Sequence, residues 1–158
     1  KGSLDVNRGM AEVLAREATG MCSAIRTQLK AGSFRPLAME KEFGFAGSDL
    51  DGVTLDVCGK KVVLRGKIDR IDVSGDLVRV IDYKTGSVKF SLTDLHSGIK
   101  LQLPVYLAVM LKAGYRPAGA FYFSTLSDFG MTDPHMLTGI CSNDDEVLAY
   151  VTTGKPIK

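Results

Sequence analysis

The stretch GKIDRIDVSGDLVRVIDYKTG, residues 66–86, reads as a β-hairpin that carries charge where a buried strand pair is expected to be apolar. The runs on either side of Gly75-Asp76 read as strands, and glycine in the first position of a two-residue loop favours a type II′ turn. That turn places Asp69 directly opposite Asp82. Since side chains alternate between the two faces of a strand, one face is aliphatic near the turn and ends in two carboxylates.

Two carboxylates that face each other across a strand pair repel and destabilise it unless something compensates their charge. A divalent cation compensates it, and Mg²⁺ is typically held by one or two carboxylates together with water and phosphate oxygens. Lys84 lies two residues beyond Asp82 and therefore points to the same side, where it is suited to orient or activate a water or to stabilise phosphoryl charge. The alternative is a buried Asp–Lys pair beside one solvated Asp, and the spacing alone leaves it open.

The rest of the chain predicts helices on either side of further strands, in the order α, β, β, β, β, α, β, α. Apolar residues at helical spacing predict a first helix, and proline, tolerated only in a first turn, predicts that the second helix begins between Lys100 and Leu103. The predicted elements are a helix over Asp5–Ala31 capped near Gly32, an extended segment over Pro36–Phe45, strands at Val53–Val57, Lys61–Val73, Leu77–Lys84 and Ala118–Leu126, a helix over Leu101–Lys112, and a terminal helix over Asn143–Thr152 capped by Asn143 or Ser142.

Composition favours an ordinary globular protein of one domain, residues 1–158, and the absence of an initial Met suggests a fragment of a longer chain. The net charge of +2 is too small to indicate nucleic acid by itself. Basic residues nevertheless cluster ahead of and within the hairpin, either as DNA-backbone contacts or as a solvated strand edge. The candidates are Lys60, Lys61, Arg65 and Lys67.

The cysteine and apolar patterns exclude several classes of protein. The three cysteines are far apart and form no C-x-x-C pair, which argues against a zinc ribbon or disulfide scaffold and favours a reducing, cytoplasmic location. The longest apolar run, around LPVYLAVML, is too short to span a bilayer, so no membrane association is expected. No Walker A motif occurs, so any motor activity belongs to another domain or subunit.

Three ordered motifs resemble the PD-(D/E)XK nuclease superfamily, and within it the RecB-like branch. They are GKIDRID at 66–72, IDYKTG at 81–86 and QLPVY at 102–106. Upstream, FRPLAMEKEFGF resembles the lead-in to the nuclease domain found in bacterial helicase–nucleases, so the resemblance covers roughly residues 34–126. It implies an α/β fold with a restriction-endonuclease-like core, a mixed central β-sheet flanked by helices in the order α-β-β-β-α-β.

The resemblance also implies a function and partners. It implies an Mg²⁺- or Mn²⁺-dependent deoxyribonuclease, expected to act as an exonuclease, within a helicase–nuclease of double-strand break repair and recombination. DNA and a helicase subunit or domain are the expected partners. The implied ligands are Asp69, Asp82, the Tyr83 backbone carbonyl and Glu40, with Glu42 as the rival of Glu40, and the implied catalytic set is Asp69, Asp82, Lys84, Gln102 and Tyr106.

Gln102 and Tyr106 lie one helical turn apart, hence on one face. Gln102 would sit at the helix N-terminus, whose free amides suit a phosphate. The alternative for Tyr106 is a core tyrosine whose hydroxyl reaches the surface.

The sequence departs from the resembled branch in two respects. Many members place a metal-binding His upstream on the first helix, whereas His96 and His135 both follow the hairpin and are expected on the surface. Many relatives also hold an iron–sulfur cluster on four cysteines, a pattern that this fragment does not support. The missing His keeps open an alternative: a catalytically inactive DNA-binding or scaffold module with the same fold.

Overall fold

A five-stranded sheet forms the centre of the protein, and two of its central strands are the predicted hairpin. The computed structural model describes residues 2–86, 90–125 and 137–152. The strand order is β1-β4-β5-β6-β7, with β5 and β6 parallel and the other neighbours antiparallel. These strands are β1 Arg35–Phe43, β4 Gly66–Ser74, β5 Leu77–Lys84, β6 Arg116–Ser124 and β7 Leu137–Cys141; β2 Val53–Val57 and β3 Lys60–Leu64 form a separate hairpin.

The register of the β4–β5 hairpin confirms the predicted turn. Ser74 pairs with Leu77 and Asp72 pairs with Arg79. Gly75 has a φ of 61°, whereas Asp76 does not have positive φ, as a type II′ turn requires. The turn therefore fixes which residues of the two strands share a face.

Helices cover both faces of the sheet, and α3 Gln102–Lys112 covers the face that carries Asp82. Leu103, Tyr106, Val109 and Met110 recur at helical spacing and pack against the aliphatic half of the hairpin. The start of α3 at Gln102 confirms the prediction from Pro104, whose ring occupies the first turn, where its missing amide costs little.

The opposite face packs against the C-terminal part of α1 Gly2–Ala31. Met21, Ala24 and Ile25 contact Ile81 and Phe123 there. The helix ends as predicted, but Gly32 does not take positive φ. Instead the Arg35 guanidinium donates to the carbonyl oxygens of Leu29 and Gly32 and so satisfies the end of the helix.

Several predicted boundaries were wrong for identifiable reasons. The single strand expected over residues 61–73 is divided at Arg65, because its first half pairs with β2 and its second half with β1. The short helix α2 Leu92–His96, capped by the Ser91 hydroxyl, was not predicted. The last helix, α4 Asp145–Thr152, is capped by the Asp144 carboxylate, which accepts from the Glu146 amide, rather than by Asn143 or Ser142.

Strand β7 was not predicted. It follows residues 126–136, which lie outside the described residues, and pairs with β6. Its five residues carry little periodicity of their own. The predicted strand end at Leu126 also lies outside the described residues. Within the described part of the chain, no helix is both long and apolar enough to cross a bilayer.

Candidate active site

Asp82 lies near the end of the central strand β5 and is almost completely buried, with 1% of its surface exposed. Its Oδ2 atom is 2.6 Å from Lys84 Nζ, in an ion pair whose geometry is not that of a hydrogen bond. Oδ2 has no hydrogen-bond partner among the described residues. Burial raises the pKa of Asp82, Lys84 opposes that shift, and the neighbouring Asp69 charge adds to it. The site therefore holds a desolvated carboxylate that is not fully compensated.

Asp69 is held beside Asp82 by the backbone of β5. Its Oδ2 accepts a hydrogen bond from the Tyr83 amide at 2.9 Å. Arg70 and Ile81 are the last pair in the β4–β5 ladder, so Asp69 and Asp82 are not a ladder pair. Burial raises the pKa of Tyr106 on α3, and the charges of Asp82 and Asp69 add to the rise. The predicted direct pairing of Asp69 with Asp82 is not part of this ladder, and the convergence of the two carboxylates on one ion stays a prediction.

Lys84 begins a chain of hydrogen bonds that crosses from β5 through α3 to β4. Lys84 Nζ donates to Gln102 Oε1 at 2.8 Å, and Gln102 Nε2 donates to the Tyr106 hydroxyl at 2.8 Å. That hydroxyl in turn donates to the Lys67 carbonyl at 2.8 Å. Because the tyrosine proton goes to the carbonyl, its oxygen must accept from the amide, which turns the amide oxygen toward Lys84. The structure thus brings Asp82, Lys84, Gln102 and Tyr106 together, with both ends of the Gln102 amide in use.

The structure adds Tyr122, which the sequence did not single out. Tyr122 pairs with Asp82 across the parallel strands β5 and β6, and Lys84 Nζ lies 5.6 Å from the centroid of its ring. Burial raises the pKa of Tyr122, the Asp82 charge adds to the rise, and Lys84 and Lys100 oppose it. No local signal marks this residue, because its partner strand lies about forty residues upstream and the register of a parallel pair is not set by a turn.

Glu40 lies in β1 between Met39 and Lys41, which pair with Arg70 and Ile68 of β4, and it forms an ion pair with Lys67. Its φ of 50° is unusual for a residue with a side chain, and Glu40 is left out of the β1–β4 ladder. The Glu40 carboxylate raises the pKa of Lys67, and the charge of Glu42, which pairs with Lys67 in the register, adds to the rise. Among the described residues no three His, Cys, Asp or Glu side chains lie close enough to share an ion. A ligand role for Glu40 or Glu42 therefore stays a prediction.

The Tyr83 side chain faces away from the carboxylates. Its ring makes an edge contact with Phe123 at 5.5 Å between centroids, and its hydroxyl accepts from Arg70 Nη1 at 3.4 Å. The part of Tyr83 that lies between Asp82 and Lys84 is thus its backbone. This arrangement is compatible with the predicted carbonyl ligand, which stays a prediction.

The predicted DNA-binding residues do not form one cluster with the carboxylates. Lys60 and Lys61 lie at the exposed tip of the β2–β3 hairpin. The base of that hairpin is held to the C-terminal end of α3, where Lys112 donates to the Gly52 carbonyl, so it lies at the end of α3 opposite Gln102. Arg65 sits 5.4 Å above the ring of Phe45. Of this set, Lys67 lies nearest the site.

The described histidine and the three cysteines lie away from the site. His96 ends α2 and is exposed, and His135 lies outside the described residues. The cysteines Cys22, Cys58 and Cys141 are all free and exposed, on α1, in the β2–β3 turn and at the end of β7.

A second charged cluster lies on the opposite face of the same two strands. Asp72 accepts from Arg70 Nε and Nη2, both at 2.7 Å, and from Arg79 Nε at 2.9 Å. Arg70 and Asp72 are fully buried, and Arg79 stacks 4.8 Å from the ring centroid of Phe34. Asp72 pairs with Arg79 in the register of the hairpin, and the sequence did not predict that Arg70 joins them. This cluster is closed to solvent, unlike the one around Asp82.

Comparison with known proteins agrees with this geometry. The family model of the PD-(D/E)XK nuclease superfamily matches residues 3–152. The chain belongs to the PD-(D/E)XK nuclease superfamily. The restriction-endonuclease-like fold expected from the motifs is confirmed, since the mixed sheet flanked by helices carries the three motifs of this superfamily around one point.

Curated relatives of this PD-(D/E)XK domain are named as a subunit of an ATP-dependent helicase/deoxyribonuclease. The Clostridium tetani protein is 38% identical over 126 residues, which are 72% of this chain and 10% of the relative. The Clostridium kluyveri protein is 34% identical over 140 residues, 81% of this chain and 12% of the relative. The Carboxydothermus hydrogenoformans protein is 43% identical over 100 residues, 57% of this chain and 9% of the relative. The chain spans about a tenth of the length of these relatives.

The PD-(D/E)XK site fits a divalent cation by its donor chemistry. Asp82 Oδ2 is buried without a hydrogen bond, and Asp69 adds a second carboxylate beside it. Hard cations such as Mg²⁺ and Mn²⁺ prefer oxygen ligands, and an oxygen already removed from water loses little further hydration when it binds one. The ligands expected from the sequence, Asp69, Asp82 and the Tyr83 backbone carbonyl, stay a prediction.

Proposed function

We propose that this chain is a metal-dependent deoxyribonuclease domain that hydrolyses DNA phosphodiester bonds. The observation that carries the proposal is the buried Asp82 carboxylate, whose Oδ2 lies 2.6 Å from the Lys84 ammonium and within reach of the Asp69 charge. A metal ion bound there would polarise the scissile phosphate and lower the pKa of a bound water. Superfamily membership and the names of the relatives support the same activity.

The residues of the chain divide the work of such a reaction. Asp69 and Asp82 hold the cation, and the Tyr83 amide fixes Asp69. Lys84 orients the attacking water or stabilises charge on the phosphoryl oxygens. Gln102 and Tyr106 act as positioning residues. The Lys67 carbonyl accepts from the Tyr106 hydroxyl, which in turn accepts from the Gln102 amide nitrogen. This orients the Gln102 amide so that its oxygen accepts from the Lys84 ammonium.

A digestion experiment tests this proposal. Linear single-stranded DNA and plasmid DNA are incubated with Mg²⁺ or Mn²⁺ and with the wild-type chain, Asp82→Asn or Lys84→Ala. Cleavage that needs the metal and falls at least about a thousandfold in both variants is expected, because each removes part of the charge arrangement of the transition state. Equal degradation by all three proteins, or cleavage that persists in EDTA, contradicts the proposal.

We further propose exonuclease action within a helicase–nuclease of double-strand break repair and recombination, in the cytoplasm, with DNA and a helicase subunit or domain as partners. The names of the relatives, which pair helicase with deoxyribonuclease, support this assignment. Covalently closed single-stranded circles test the exonuclease part, because an exonuclease needs a free end and should leave them intact. The same circles, once linearised, should be digested, whereas comparable digestion of both forms indicates an endonuclease.

A second candidate function is a non-cleaving DNA-binding or scaffold module. It is favoured by one observation: the described residues supply two clustered carboxylates rather than three acidic or His ligands. DNA binding that is unchanged by Asp82→Asn, together with no cleavage by the wild-type chain at millimolar Mg²⁺ or Mn²⁺, supports this function over the nuclease.

A further inference from the structure

The ring of Tyr122 forms one wall of the site that holds the Lys84 ammonium. Lys84 Nζ lies 5.6 Å from the ring centroid, within the range in which the negative face of an aromatic ring attracts a cation. Tyr122 is 5% exposed, so the ring is buried, whereas the Lys84 side chain is 36% exposed. The other two neighbours of the ammonium are oxygens, at 2.6 Å in Asp82 and 2.8 Å in Gln102.

The backbone holds this ring rigidly. Tyr122 lies in β6 between β5 and β7, where it pairs with Asp82 on one side and Thr138 on the other. Lysine, by contrast, has four flexible carbons and a freely rotating ammonium. A fixed ring beside a mobile cation restricts where that cation can sit.

The nature of the three contacts gives the ring a distinct role. Asp82 Oδ2 is also the atom expected to bind a divalent cation, so Lys84 and a metal ion would compete for the same oxygen. The Tyr122 ring carries no net charge and is not a metal ligand. Its attraction for the ammonium therefore persists whether or not Asp82 Oδ2 is engaged.

We propose that Tyr122 is a positioning residue that holds the Lys84 ammonium over the reaction centre through its aromatic face. The proposal rests on the nuclease function proposed above and adds a residue outside the three motifs. It requires the ring and not the hydroxyl, which separates it from a hydrogen-bonding role.

Steady-state cleavage of linear DNA under saturating Mg²⁺ tests the proposal with Tyr122→Leu, which removes the ring, and Tyr122→Phe, which keeps it. We expect kcat to fall about 2- to 30-fold in Tyr122→Leu, the range that corresponds to one cation–π contact, with KM unchanged. Tyr122→Phe should stay within about twofold of wild type on the same basis. A Tyr122→Leu enzyme as fast as wild type, or a Tyr122→Phe enzyme as slow as Tyr122→Leu, overturns the proposal.

Phe121→Leu is the matched control, because it removes a ring of the same strand that faces the opposite side of the sheet and packs with Ile81. It should lower the melting temperature without a comparable fall in kcat. An equal fall in kcat in both leucine variants means that the effect is structural and overturns the role of the ring. Asp82→Asn distinguishes failure of the nuclease proposal from failure of the Tyr122 proposal. If Asp82→Asn cleaves like wild type, the nuclease proposal fails, whereas the results with the Tyr122 variants bear on Tyr122 alone.

A spectroscopic measurement keeps the proposal testable if Tyr122→Leu does not fold. An aromatic face shifts nearby protons upfield, so the Lys84 ε-methylene protons of the wild-type chain should resonate upfield of the other lysines, with Lys84→Arg giving the assignment. The shift should survive in Tyr122→Phe. Lys84 ε-methylene protons at the position of exposed lysines contradict the contact.

Discussion

The two faces of the β4–β5 hairpin carry charged clusters of opposite construction. On the back face, one carboxylate, Asp72, is gripped by two guanidinium groups, and Arg70 and Asp72 are completely buried. On the front face, Asp82 Oδ2 lies 2.6 Å from a single ammonium, that of Lys84, and the Asp69 charge is close enough to act on Asp82. The back cluster has an excess of positive charge and its carboxylate is saturated; the front cluster has an excess of negative charge and its carboxylate is not.

The contrast shows how one pair of strands serves stability and chemistry at once. Because side chains alternate, Asp69 and Arg70 are neighbours in sequence but face opposite sides. A buried carboxylate between two guanidinium groups needs no further ligand, so the back cluster fixes the strands. A buried carboxylate beside another carboxylate is left under-compensated, and such a site is suited to a cation from solution.

The largest expected effect comes from opening the back cluster. Asp72→Asn leaves two buried guanidinium groups without a counter-charge, and breaking a buried pair in this way costs about 3–5 kcal/mol of unfolding free energy. Urea denaturation of the metal-free protein measures it. Asp76→Asn is the control, since it breaks the exposed Asp76–Arg116 pair and should change stability far less. If Asp82→Asn destabilises as much as Asp72→Asn, the two clusters do not differ as described.

The next effect separates the two tyrosine hydroxyls that lie on either side of the sheet. Tyr106→Phe removes the hydroxyl that links Gln102 to the Lys67 carbonyl, and we expect a loss of about 1–3 kcal/mol in stability. If about 1.4 kcal/mol of that is also lost in the transition state, kcat falls about tenfold. Tyr83→Phe, which removes the hydroxyl near Arg70 on the back face, should leave kcat near wild type. Similar kcat losses in both variants contradict the separation of roles.

A pH titration of stability should distinguish the front carboxylate. The folded-state pKa of Asp82 is raised by burial, so its protonated form is favoured in the folded protein. Its stabilising contribution is therefore complete below the unfolded pKa of about 4 and is lost as pH rises through the folded pKa. We expect the unfolding free energy of Asp82→Asn minus that of wild type to grow as pH rises from about 4 toward neutrality. A difference that is flat, or that shrinks over that range, contradicts the raised pKa.

The smallest effect is expected from the hairpin tip, which belongs to neither cluster. Lys60→Ala combined with Lys61→Ala should weaken DNA binding without changing kcat, and should lower the slope of log K against log salt by about 0.9 for each lost phosphate contact. Lys30→Ala, at the end of α1, removes an exposed lysine elsewhere and serves as control. An unchanged slope in the hairpin variant excludes a DNA contact at Lys60 and Lys61.

Local rules were enough to predict the front face of the hairpin. Gly75 fixes the turn, the turn fixes the register, and the register puts Asp69 and Asp82 on one side with Lys84 two residues further on. The start of α3 also followed from one residue, Pro104. In each case the deciding interaction lies within a few residues along the chain.

The parts that were not predicted depend on distant pairings. Tyr122 reaches Lys84 only through the parallel β5–β6 pair, and no turn sets that register. The division of the long strand at Arg65 depends on its two halves pairing with different strands, β2 and β1. The two-residue repeat of a strand places Arg70 on the same face as Asp72, but it does not indicate that Arg70 and Arg79 are buried against one carboxylate.

The central claim is that Asp69 and Asp82 together bind one divalent cation, and isothermal titration calorimetry with Mn²⁺ tests it most directly. The wild-type chain and Asp76→Asn should bind one ion each, whereas Asp69→Asn and Asp82→Asn should each lose measurable binding under the same conditions. Binding that survives both front-face substitutions, or a wild-type chain that takes up no Mn²⁺ at millimolar concentration, contradicts the claim.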